Sequence, residues 1–212
     1  MKVLLAIWAD PRTYLSTVFT AQALSTRGID VDLVYRKPNK ELDVFGDVNF
    51  GSNTRHHPIG GRHSGWRDKI DYLTYIIKLI LIVWRKRPDV IIGYNKLGLL
   101  ASFVVTQFFP KIRLIYHNYD FDISSLQDIL GRCELVAARN ADLIIFPALG
   151  RSEEYKSIAG LQREPMSVLN CYPLSYSVKK TGELNKILES KGLSFDRLVI
   201  RLGMIGPFHG IE

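Results

Sequence analysis

The sequence predicts an α/β fold in which a parallel sheet carries helices on both faces. Strand-like and helix-like segments alternate from the first residue to about residue 169, the pattern of right-handed βαβ crossovers. Runs such as Val3–Trp8 and Val90–Ile92 are apolar throughout, as strands covered on both faces are. A chain of 212 residues, 47% hydrophobic and 23% charged, can bury a substantial core, which excludes collagen-like and disordered classes. Its two cysteines, Cys133 and Cys171, are too few for a disulfide framework or a four-ligand zinc site and fit a reducing compartment.

Val3 to Trp8 is the first expected strand; Asp10-Pro11-Arg12 comes directly after it, with no signal-peptide cleavage site. A helix from about Thr13 to Arg27 places Tyr14, Val18, Ala21 and Leu24 on one side and stops at Gly28. Ile29 to Tyr35 is the second strand. Residues 36–65 lack periodicity and hold a His56-His57-Pro58 turn, so a long loop is expected. Helix 66–87, strand 88–93, helix 97–109, strand 112–116, helix 126–140, strand 142–146, helix 152–159 and strand 166–169 complete the series.

Residues 1–172 thus form the main domain and the polar stretch 173–196 a connector with a short helix near 183–190. Residues 197–212 read as a new strand running into a glycine-rich turn, the start of a phosphate-cradling βα unit. The helix of that unit is not in the sequence, so we expect truncation just inside a second domain.

Ligands of open parallel sheets bind at the carboxyl ends of the strands. Asp10, Arg12 and Thr13 come after the first strand, Asn95 after the third, and His117-Asn118-Tyr119-Asp120 after the fourth. The first turn holds no glycine, which argues against a dinucleotide fingerprint. Thr13 is also a candidate N-cap and Arg12 a candidate surface cation. His117 can bond a sugar hydroxyl or phosphate or act as a general base, with Asp120 orienting it or binding hydroxyls.

The net charge of +7 is concentrated between Arg55 and Arg87. There Arg55, Arg62, Arg67, Lys69, Lys78, Arg85, Lys86 and Arg87 face only Asp68 and Asp71, eight minus two giving +6. Such a patch suits phosphate or anionic lipid, or is a solvated face. Nucleic acid is excluded as a partner, because there is no aromatic-basic interleave, RNP run or compact recognition helix. From Tyr72 to Trp84, 11 of 13 residues are apolar, too few to span a bilayer. Either the helix packs under the sheet and shows water only the stripe Asp71, Thr74, Lys78 and Arg85, or Trp66, Tyr72, Tyr75 and Trp84 lie near lipid headgroups.

Four segments resemble the family 4 retaining glycosyltransferases of GT-B fold. Arg87-Pro88-Asp89-Val90-Ile91-Ile92 is similar to the family's PDVI strand, and Ile115-Tyr116-His117-Asn118-Tyr119-Asp120 to its YHxHD strand end. Ala138-Arg139-Asn140-Ala141-Asp142-Leu143-Ile144 resembles its R-x-AD-x-I segment, and Val168-Leu169-Asn170 its VIPN turn. Leu202 to Glu212 resembles the opening of the donor domain, with Met204 where the family commonly has arginine and His209 where it has lysine.

The resemblance implies a Rossmann-like N-terminal half of a GT-B fold, holding the acceptor. It implies a catalytic His117 and Asp120, acceptor contacts from Asp10, Arg12, Thr13, Asn95 and Tyr119, and a donor-diphosphate turn from Gly203, Gly206, His209 and Gly210. Arg62, Arg67, Lys69, Arg85, Lys86 and Arg87 would grip a phosphate or an anionic membrane. The parent would transfer a hexose from a nucleotide sugar to a lipid-linked or polysaccharide acceptor, with no metal and no cofactor beyond that donor substrate. The expected location is cytoplasmic, at the inner face of the membrane where the basic patch engages lipid, and the chain alone is expected to be inactive. The alternative is a non-catalytic acceptor- and membrane-binding subunit of a two-chain transferase.

Overall fold

The computed structural model describes residues 1–37, 48–61, 65–119 and 126–168, and singly residues 186, 190 and 192. The chain divides into two compact units, Met1–Asn170 and Cys171–Glu212. In the first, β1 (Lys2–Ile7) is succeeded by a 3-10 turn (Pro11–Thr13), α1 (Leu15–Thr26), β2 (Asp30–Arg36), β3 (Thr54–Ile59) and α2 (Trp66–Lys86). Next come β4 (Val90–Tyr94), α3 (Asn95–Phe108), β5 (Arg113–His117), α4 (Ile129–Arg139), β6 (Leu143–Phe146), α5 (Leu149–Ala159) and β7 (Met166–Ser167).

All seven strands form one parallel sheet in the order β3-β2-β1-β4-β5-β6-β7. This is the α/β, Rossmann-like architecture expected from the alternation of segments. The chain builds outward from β1 to β3, then returns to lay β4 on the other side of β1. The order reverses between β1 and β4, and ligand sites form above such a reversal.

β1 sits centrally and alternates its contacts. Val3, Leu5 and Ile7 join Val18 and Ala21 of α1 on one face, while Leu4 and Ala6 join Tyr75, Leu79 and Val83 of α2 and Ala101 and Val105 of α3 on the other. Each fully buried leucine stabilises the fold by about 1.5–3 kcal/mol. The second layer continues through Leu114, Tyr116, Ile144 and Phe146 to Ala137, Ala138 and Tyr155 of α4 and α5.

Several expectations change. The long loop contains β3, which pairs with β2 from Val31↔Thr54 to Arg36↔Ile59. Its sequence, with two histidines and Pro58, lacks strand periodicity because an edge strand has one free side, where a missing N–H is tolerated. Asp32 of β2 is buried and held by His57 Nε2 at 2.7 Å. Thr13 does not cap α1: the 3-10 turn intervenes, and its hydroxyl donates to the Asp10 carbonyl at 2.7 Å. Tyr72 and Tyr75 lie in the core rather than near a lipid surface, the Tyr72 hydroxyl donating to the Leu97 carbonyl at 2.8 Å. Nor is the polar stripe the sole solvent face of α2, since Leu73, Ile77 and Leu81 are also exposed. Among the described residues no helix is long and apolar enough to cross a membrane.

Helix α3 lies close on the sheet because glycine occupies both contact points. A Cβ on Gly98 would stand 2.5 Å from the Ala6 carbonyl oxygen, and one on Gly93 2.8 Å from Leu99 Cα. Gly98→Ala therefore forces backbone apart and is expected to lower the unfolding free energy by about 1–3 kcal/mol in urea titration. Gly150→Ala in α5, where a Cβ meets nothing within 4 Å, should shift it by less than about 1 kcal/mol, towards stability.

Candidate functional site

The carboxyl ends of β1, β4 and β5 bring together most of the candidate residues described. After β1, the Asp10 carboxylate accepts from the Arg12 backbone N–H at 3.0 Å and pairs with the Arg12 guanidinium at 2.9 Å. This fixes the turn without glycine. The Arg12 side chain is only 12% exposed, so it is a held ion-pair partner and not a surface cation. Thr13 turns its hydroxyl to the backbone of the same turn.

After β4, Asn95 adopts a left-handed conformation, φ 54°, which asparagine tolerates better than most residues. Its side-chain oxygen accepts from the Tyr119 N–H at 3.2 Å and so ties the end of β4 to the end of β5.

His117 closes β5 opposite Tyr94. Its ring centroid lies 4.5 Å from that of Tyr119 and 5.3 Å from that of Tyr94, and Tyr119 stacks between Tyr14 and Tyr94 at 5.6 Å from each. The Tyr119 hydroxyl is 3.4 Å from Nδ1, and Nε2 is buried without a hydrogen-bond partner among the described residues. Burial lowers the His117 pKa to about 4, so the imidazole is neutral at pH 7. The same burial raises the pKa values of Tyr94 and Tyr119.

Sequence reasoning missed three further groups here. Lys96, the residue after Asn95, lies 3.8 Å from the Glu134 carboxylate and 4.0 Å from that of Asp128. Glu134, 2% exposed, accepts from the Tyr116 hydroxyl at 2.6 Å and the Tyr155 hydroxyl at 3.4 Å, while Asn118 donates to the Tyr116 hydroxyl at 2.6 Å. Burial raises the Glu134 pKa, against the hydrogen bonds and Lys96, which lower it. An acid on the buried face of α4, in line with Gly131, Ala137 and Ala138, was the signal available in the sequence. Arg151 in the first turn of α5 donates to the Tyr119 carbonyl at 2.8 Å.

The basic patch does not converge on this edge. α2 runs back along the sheet, so Arg67 and Lys69 lie towards the carboxyl ends of the strands while Arg85, Lys86 and Arg87 lie at the opposite edge. Asp120, Arg62, Gly203, Gly206, His209 and Gly210 lie outside the described residues, as do nearly all of 173–196. Among the described residues no group of three His, Cys, Asp or Glu could hold a metal ion. A cavity of about 760 Å³ lined by Arg139, Asp142, Arg163 and Glu164 lies at the amino end of β6, on the far edge of the sheet from His117.

No protein-family model matches the chain, and no curated protein does. Solved structures do. The Anabaena Alr3699/HepE protein in complex with UDP-glucose superposes with a TM-score of 0.61 at 15% identity, over 91% of this chain and 50% of that one. UDP-GlcNAc 2-epimerase from Methanocaldococcus jannaschii gives 0.54 at 14% identity, over 80% and 45%. Acinetobacter baumannii MurG gives 0.52 at 10% identity, over 82% and 46%. The described domain has the Rossmann-like fold of one half of a GT-B-type structure. The chain spans about half the length of the structures it matches.

Two outcomes test the site's electrostatics. The His117 pKa is lowered from 6.5 to about 4, so between these values the unfolded chain binds a proton that the folded one does not, and stability falls as pH drops through the window. His117→Phe should therefore shrink the loss of unfolding free energy between pH 7 and pH 4.5 by about 2 kcal/mol, measured by denaturant titration at both. Glu134→Ala leaves Lys96 and two tyrosine hydroxyls without their shared acceptor and should cost about 3–5 kcal/mol at pH 7, read from the thermal midpoint and from denaturant titration.

Proposed function

We propose that this chain is the acceptor-binding half of a hexosyltransferase that moves a hexose from a nucleotide sugar to a lipid-linked or polysaccharide acceptor. The observation that carries the reading is the match over 91% of the chain to half of a protein solved with UDP-glucose, joined to the polar groups gathered where β1, β4 and β5 end. The family 4 resemblance of the PDVI and YHxHD-like segments points the same way.

In this reading Asp10, Arg12, Thr13, Asn95 and Tyr119 shape the acceptor site, with Lys96 beside them. His117, neutral at pH 7, would accept a hydrogen bond from the attacking hydroxyl once the acceptor reaches its buried Nε2; a base with a pKa of about 4 aligns a proton better than it stores one. Asp120 binds or orients acceptor hydroxyls. Glycosyl transfer develops negative charge on the departing diphosphate, so fixed cations and helix N-termini suffice, without a metal or further cofactor. Gly203, Gly206, His209 and Gly210 would contact the donor diphosphate. The protein works in the cytoplasm, in polysaccharide assembly.

The chain purified alone, given UDP-glucose and a polyprenyl-diphosphate-linked sugar in micelles, should bind the acceptor saturably yet transfer no hexose. Asn95→Ala and His117→Phe should each weaken acceptor binding about tenfold. Transfer by the chain alone, or acceptor affinity untouched by both substitutions, would refute the reading.

A further inference from the structure

α2 carries two apolar faces. One, built on Tyr75, Leu79 and Val83, is packed on the sheet and α3. The other is open: Trp66, Ile70, Leu73, Ile77, Leu81 and Trp84 succeed one another at steps of four, three, four, four and three residues, each between 46% and 67% exposed. That spacing makes one straight line of large apolar side chains about 27 Å long. Isolated exposed leucines are ordinary, but a continuous stripe with a polar rim marks a docking surface.

The rim is cationic. Arg67, Lys78 and Arg85 run along one margin at helical spacing and Lys69 lies on the other, all exposed, while Arg87 is exposed at the C-cap. The acids of the helix do not offset them at the surface, since Asp68 is engaged by Arg36 and Asp71 is only half-exposed. Trp66 and Trp84, 67% and 58% exposed, mark the two ends. Indoles favour the boundary between headgroups and acyl chains, where an apolar ring and a polar N–H are both accommodated.

We infer that this face of α2 docks on an anionic lipid bilayer, its six apolar side chains entering the headgroup boundary and its cations meeting lipid phosphates. A second copy of the chain is the poorer occupant. Two such stripes pressed together about a two-fold axis would set the Arg67, Lys78 and Arg85 margin against its own copy when antiparallel and against the Lys69 margin when parallel, like charge on like. The inference rests on the acceptor-side reading for its purpose, delivery of a lipid-linked acceptor, and on α2 alone for its geometry.

Flotation of the full chain with vesicles tests it. Binding to phosphatidylcholine containing phosphatidylglycerol should exceed binding to phosphatidylcholine alone at least about tenfold and weaken in high salt. Ile77→Asp combined with Leu81→Asp, both at exposed positions, should reduce binding to the anionic vesicles at least about tenfold. Circular dichroism and the thermal midpoint report whether that variant is folded, and Arg67→Glu with Arg85→Glu should lower binding independently. Equal binding to both vesicle types, flotation unchanged in the aspartate variant, or a lipid-free dimer that this variant splits would each overturn the proposal. No sugar donor is present in this assay, so lost flotation leaves hexose transfer standing, and absent transfer leaves the vesicle result standing.

Discussion

The carbonyl oxygen of Ala6 occupies the space that any side chain at position 98 would need. Because glycine stands there and at position 93, α3 settles onto the backbone of β1 and β4 at the point where strand order reverses. Its first two residues, Asn95 and Lys96, are thereby carried to the ends of β1 and β5. The left-handed turn at Asn95 is the local consequence, a chain passing from strand to helix with no connecting residue. The bond from its side chain to the Tyr119 N–H then anchors the backbone just past the end of β5.

Two neighbouring residues of β5 project to opposite faces of the sheet and enter different chemistry. His117 joins Tyr14, Tyr94 and Tyr119 on the α1 side, where burial among rings keeps it uncharged. Tyr116 joins Glu134, Tyr155 and Asn118 on the α4 side, where hydroxyls and Lys96 surround a buried carboxylate. The strand end is thus braced from both layers, by aromatic packing on one side and a hydrogen-bonded acid on the other. Buried acids of this kind depend on every partner being present.

The sheet was legible because β1, β4 and β6 are short continuous apolar runs that alternate with helix-like segments. β3 was not, because an edge strand of Thr54-Arg55-His56-His57-Pro58-Ile59 takes its register from β2 rather than from its own side chains. Asp10, Asn95 and His117 could be placed from sequence, since each lies at or just beyond the end of a strand. Glu134 and Arg151 could not: they reach the same edge only through the packing of α4 and α5, which local periodicity does not encode. In α2, periodicity revealed an apolar helix but not that two of its sides are apolar, because which side meets the sheet is decided by Tyr75, Leu79 and Val83 filling the layer beneath β1 and β4.

The direction of α2 has a consequence for approach. As the crossover helix between parallel strands, it runs roughly along the strand axes in the opposite sense, with Trp66 at the end where the strands finish. Laid flat on a leaflet by its outer side, it would hold the sheet's strands in the plane of that leaflet. The edge with His117 and Asn95 would then open sideways, with His117 on the face of the sheet turned away from the lipid. On the reading proposed above, a glycan would have to extend past the thickness of the sheet to reach His117 while its lipid carrier stays in the bilayer.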